Sequence, residues 1–208
     1  MIGRAGGAAP DVPAGVRFTE VGGLQLNGAG QIAFSGVLEG TGISGANNRG
    51  IWSDNDGTGF TFVTRSGDQA PGTAGGVDFS FFGDPRQSST GQTIFFAGLT
   101  GAGVNDNNDF GIWSEGDGTG LSLVARTGDR APGTSNGIDF SNFGFPQLNS
   151  SGQAVFDATL IGLGVTSAND KGIWAQDASG NLTLIARTGD LLDVDDGPSS
   201  DFRPVSFL

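Results

Sequence analysis

The chain has 208 residues, with 10 Lys plus Arg against 22 Asp plus Glu, a formal net charge of −12, and no Cys, His or Tyr. This composition excludes a disulfide framework, Cys or His metal sites, and Ser-His or Cys-His nucleophile pairs. It also argues against gripping nucleic-acid phosphates, which takes clustered cations. Glycine supplies 39 residues, far above the ~7% of ordinary proteins. The 16 Phe and three Trp nonetheless fall in ordered patterns that disordered chains lack. No apolar run approaches the ~20 residues of a membrane helix, and the N-terminal stretch has no apolar segment of signal-peptide length.

Taken in chain order, the apolar segments repeat. Gly30-Gln31 with Phe34 returns as Gly91-Gln92 with Phe95 and as Gly152-Gln153 with Phe156. Gly50-Ile51-Trp52 returns as Gly111-Ile112-Trp113 and Gly172-Ile173-Trp174, 61 residues apart each time. Arg65-Ser66-Gly67-Asp68 returns as Arg126-Thr127-Gly128-Asp129 and Arg187-Thr188-Gly189-Asp190, at the same spacing. Three markers hold one register without an insertion, the mark of a tandem array. Arg4 lies one period before Arg65, so the chain opens inside a repeat. The period gives a leading half-repeat over 1–26 (third and fourth strands) and repeats over 27–87, 88–148 and 149–208.

Each period reads as four short strands joined by glycine and polar turns. The first, Gln31–Leu38, is apolar on both faces, as in a strand buried in the middle of a structure. The second is Gly50–Trp52 and the third Phe60–Arg65. The Asp-Gly pairs between them signal hairpins, because such turns need positive φ. The fourth is Val77–Phe82, with copies at Val16–Val21 and Ile138–Phe143; Pro85 and Pro146 are expected to stop two of these. In the last repeat Phe202 is expected to replace Phe140. No segment shows a sustained helical period. The expected fold class is all-β, with tandem four-stranded repeats forming β-propeller-like blades, either an open arc or an array completed by another chain.

Asn27-Gly28-Ala29-Gly30-Gln31-Ile32-Ala33-Phe34 resembles the signature of a bacterial tandem-repeat family named for its Asn-x-x-Gly-x-x-Ala-Phe motif. Ser88 to Phe95 and Asn149 to Phe156 are partial copies, and the Gly-Ile-Trp and Ala-Arg-Thr-Gly-Asp segments are similar to that family too. The resemblance covers nearly the whole chain. It implies an exported or surface-displayed β-repeat protein, hence an extracellular or cell-surface location, and carries no catalytic residues to transfer.

Four candidate sites stand out. The Arg-x-Gly-Asp turns (Arg65/Asp68, Arg126/Asp129, Arg187/Asp190) are expected to be structural, glycine making the turn while Arg and Asp pair or hold carbonyls. Asp54, Asn55, Asp56 and Asp117 resemble parts of an oxygen-ligand calcium loop, without its full spacing. Trp52, Trp113 and Trp174 could stack on sugar rings, but their constant place after Gly-Ile favours core packing. Asn149 and Asn181 open glycosylation sequons in expected turns.

The expectation is a non-enzymatic extracellular scaffold without cofactor, assembling with copies of itself through incomplete terminal repeats into a ring or filament. No nucleic acid or membrane partner is expected. The alternative is a monomeric cell-surface module binding glycan or calcium on blade-end loops.

Overall fold

The computed structural model describes residues 4–55, 57–116, 118–193 and 202–206. The first sheet holds β1 (Arg17–Leu26), β2 (Ile32–Glu39), β3 (Arg49–Ser53) and β4 (Thr61–Arg65), antiparallel and in chain order. The second holds β5 (Val77–Phe82), β6 (Arg86–Gln87), β7 (Thr93–Gly101), β8 (Phe110–Ser114) and β9 (Ser122–Arg126). The third repeats it with β10 (Ile138–Phe143), β11 (Gln147–Leu148), β12 (Ala154–Gly162), β13 (Lys171–Gln176) and β14 (Leu182–Arg187). A two-stranded pair, β15 (Leu191–Asp193) and β16 (Phe202–Pro204), follows. There is no helix among the described residues, and the sheets stay open instead of closing into a barrel.

The sheets are offset from the sequence motif. Each is built from a fourth-strand segment followed by the first three strands of the next period. The fourth strand of the leading half-repeat is therefore not short of a partner: β1 pairs with β2 from Arg17↔Glu39 to Leu26↔Ile32. The third strand of that half-repeat falls mostly on residues 1–3, outside the described residues. β5 and β10 end at Phe82 and Phe143, short of Pro85 and Pro146 as expected, and a separate two-residue strand follows each proline. After each proline the chain rejoins the same neighbour, as β6 on β7 and β11 on β12. A proline lacks one donor, so it breaks a ladder locally, and the residues beyond it remain free to pair. Leu24 holds the equivalent place in β1, which runs on with a register shift.

The substitution expected at the last repeat also differs. Gly128 and Asp129 exchange backbone hydrogen bonds with Phe140, and Gly67 and Asp68 do so with Phe79. Gly189 and Asp190 make the same exchange with Val205, not with Phe202. Phe202 instead pairs with Asp193 in the β15–β16 ladder. The segment between is longer than the period allows, which puts the equivalent register four residues past the period and three past Phe202.

Each sheet has its own aromatic core. In the first, Trp52 packs edge-on against Phe18 (ring centroids 4.8 Å) and stacks with Phe34 at 5.8 Å. Trp113 with Phe79 and Trp174 with Phe140 repeat the edge contact at 4.9 and 5.0 Å. A register shift recurs between Ile and Trp in all three copies, at Ile51/Trp52, Ile112/Trp113 and Ile173/Trp174. Such bulges re-aim side chains, and here they accompany two successive buried residues, Trp52 in its own core and Ile51 in the core of the next sheet. Ile94 and Ile112 likewise join the cluster of the third sheet. The array is thus held by nearest-neighbour apolar contacts. Its accessible surface, 10585 Å², exceeds the roughly 9,000 Å² of a compact globule of this mass.

Candidate functional site

The sequence markers come together at the entry to each sheet. The indole N–H of Trp52 donates to the Pro10 carbonyl at 3.1 Å, that of Trp113 to Pro71 at 3.0 Å and that of Trp174 to Pro132 at 2.9 Å. Each bond spans 42 residues and pins the loop before a sheet across that sheet's own centre. A buried indole N–H needs such an acceptor. The clamp was invisible to motif reading, although the constant Trp-to-Pro separation in all three repeats was its signal. All three Trp are fully buried, so none offers a face to a sugar ring.

The Gly before Ile-Trp is a packing requirement. A Cβ on Gly50, Gly111 or Gly172 would lie 2.6–2.7 Å from the indole two residues on. Phe34, Phe95 and Phe156 are buried in the three cores. Gly30, Gly91 and Gly152 all have positive φ and close the turns before β2, β7 and β12.

The Arg-x-Gly-Asp turns hold the crossings between sheets. Asp68 accepts the Arg65 backbone N–H at 3.0 Å and lies 3.4 Å from its Nε. Asp190 accepts the Arg187 N–H at 3.0 Å. The side chains of Arg126 and Arg187 donate instead to the carbonyls of Asn108 and Asn169, at 2.8 and 2.6 Å. Burial raises the Asp129 carboxyl above its ordinary range; Arg126 opposes that shift and Asp139 adds to it.

Of the calcium candidates, Asp54 and Asn55 lie in the turn between β3 and β4. Asp54 accepts the Gly59 N–H at 3.4 Å, and its carbonyl accepts from Gln87 of the second sheet at 3.2 Å. The Asn55 side chain bonds Ser53, and its carbonyl accepts from Gln31 at 2.7 Å. Asp56 and Asp117 lie outside the described residues. Among the described residues no three acidic groups gather as a metal cluster. The neighbouring carboxyl, Glu115, is raised by burial, partly offset by hydrogen bonds from Thr93 and Asn55.

Asn149 is exposed and caps its own turn, accepting from the Ser151 and Gln153 backbones at 2.9 and 3.0 Å. Asn181 is exposed and donates to Asp177 at 3.3 Å. The Asp177 carboxyl is held below its usual range by backbone donors, Asn181 first and then Ser179. Between the turns of the second and third sheets runs a polar groove of about 550 Å³, lined in part by Ser114, Ser122, Ser151, Gln176 and Ser179.

Fold and sites together define an all-β array of four- and five-stranded antiparallel sheets clamped by a recurring Trp–Pro hydrogen bond. The chain belongs to a family of unknown function, DUF7453, whose model matches residues 1–208. A comparison with curated proteins finds no match.

Proposed function

We propose that this chain is a non-enzymatic scaffold outside the cell that assembles with copies of itself through the terminal faces of its array. The motif resemblance supports the exported, surface-displayed setting. One observation carries the assembly reading: both ends expose apolar residues that the inner repeats bury. On the third sheet Val155 is 39% and Ile185 58% exposed, whereas Ile94, in the place of Val155, is fully buried and Val124, in the place of Ile185, packs against the next core. On the first sheet Leu24 is 61% exposed, where Pro85 and Pro146 are buried, and Leu26 is 62% exposed, where Leu148 is half-buried. Exposed apolar surface of this kind marks interaction sites, and two different end faces give a head-to-tail contact, closing as a ring or running on as a filament.

The test is a concentration series by sedimentation and negative-stain microscopy, with Ile185→Asp and Leu26→Asp as variants. Each variant alone should be monomeric, and the two mixed should pair through their intact faces as a dimer. A chain that stays monomeric at every concentration rejects the reading. The second reading, a monomeric module for glycan or calcium, is favoured by the hydroxyl- and amide-lined groove between the second and third sheets. Glycan or calcium binding by a strictly monomeric chain would select it.

A further inference from the structure

The first strands of the three sheets run side by side at their far ends, where β6 touches β1 on one flank and β11 on the other. One period apart, these ends present Gln25, Arg86 and Gln147. The central unit breaks the repeat, placing a cation between two amides. Arg86 reaches into both neighbours: its Nη1 donates to Gln25 Oε1 at 2.8 Å, and its guanidinium lies over the Phe145 ring, 5.8 Å from the centroid. Those contacts fix the plane of the fork. They leave Arg86 Nε buried without a hydrogen-bond partner, and on the next residue Gln87 Oε1 is buried without a donor. Gln25, Arg86, Gln87, Gln147 and Leu148 surround a recess of about 190 Å³.

A buried guanidinium N–H without an acceptor is costly, more so because the group is charged. In a chain with 22 acidic residues, no carboxylate lies within ion-pair distance of Arg86 among the described residues; the ion pair found there is Arg65–Asp68. The orphaned groups are complementary to one kind of ligand. A planar fork with a free Nε–H suits an oxyanion, and carboxylate above all. The orphaned Gln87 oxygen suits a hydroxyl donor, and Gln147, which also lines the recess, can serve either.

We propose that this recess binds a small hydroxycarboxylate, Arg86 taking the carboxylate and Gln87 Oε1 the hydroxyl. The ligand is a free hydroxy acid or the uronic-acid unit of an acidic glycan, which share this chemistry. Ligand binding is read on Arg86 and the glutamines themselves, so its outcome is distinguishable from that of self-assembly.

The test is NMR titration of the full chain with lactate and with glucuronate at constant ionic strength, chloride as the balancing anion. The glutamine side-chain amides and the Arg86 Nε–H resonance are the readout. Binding should shift Arg86 Nε–H and the Gln87 and Gln147 amides. Saturation by lactate assigns a free hydroxy acid, and preference for glucuronate assigns the uronic unit. Arg86→Gln restores the residue found in the other two repeats, so it should keep the melting temperature within a few degrees while weakening binding at least tenfold, about 1.4 kcal/mol. Absence of shifts at tens of millimolar of either acid overturns the proposal. So does equal binding by Arg86→Gln, or by glucuronate methyl ester, which has the hydroxyls without the charge.

Discussion

At the scale of single residues, the array is specified by close approach. Gly111 sits under the Trp113 ring, so an added methyl at 2.6 Å must move either the indole or the strand. Displacing the indole also strains its 3.0 Å bond to Pro71. Gly111→Ala should therefore destabilise by about 1–3 kcal/mol, the cost of overpacking a core. Gly75→Ala, with nothing within 4 Å of the new methyl, should stay within about 0.5 kcal/mol of the parent. Chemical denaturation of the two variants checks the pair, and similar losses in both would show that generic glycine replacement is responsible. The recurrence of Gly-Ile-Trp was plain in the sequence; its reason was not. A period shows that a residue is required, while the indole folding back on the glycine and the proline 42 residues upstream are tertiary facts.

At the scale of elements, the ends of β8 and β13 show how one position changes between repeats. Glu115 accepts the Thr93 N–H at 3.3 Å, and one period on Gln176 accepts the Ala154 N–H at 3.0 Å. The third sheet thus keeps the hydrogen bond without the charge. Burial raises the Glu115 carboxyl above its ordinary 4.5, so the folded state holds that proton more tightly than the unfolded state. The ionised form then costs stability above the folded value, and the cost fades as pH falls through that value and vanishes below 4.5. Glu115→Gln should melt higher than the parent at neutral pH and match it under acid, as measured by thermal unfolding across pH. A variant that melts lower at neutral pH would mean the carboxylate contributes more than its burial costs. Element placement itself was largely legible, because alternation and turn residues locate strands well: β2, β4, β5 and β10 fall within a residue or so of the expected spans. The errors came where pairing partners decide the outcome. Nothing local says that a strand resumes beyond Pro85, or that Val205 and not Phe202 takes the register of Phe140, since both are settled by the neighbouring strand.

At the scale of the whole molecule, each sheet has a private aromatic core and shares only its second face, through Ile51 and Val63 with the second sheet and through Ile94, Ile112 and Val124 with the third. Stability should then be a sum of unit terms and neighbour terms, as in a one-dimensional array. The middle unit has two neighbour terms to lose; the third sheet, among the described residues, shares its face only with the second. Trp→Ala in a core costs about 3–5 kcal/mol, enough to open one unit. Trp174→Ala should strip amide-exchange protection from β10 to β14 while β2, β3 and β4 keep theirs, because the first core makes no contact with Phe140, Phe156 or Trp174. Trp113→Ala should strip β5 to β9 and also loosen both flanking sheets, since Ile51 packs into the core it destroys and Ile94 and Ile112 are part of the core beyond. Hydrogen exchange read by mass spectrometry resolves the two patterns. Equal, global loss of protection in both variants would mean that the neighbour terms outweigh the unit terms and the three sheets unfold as one.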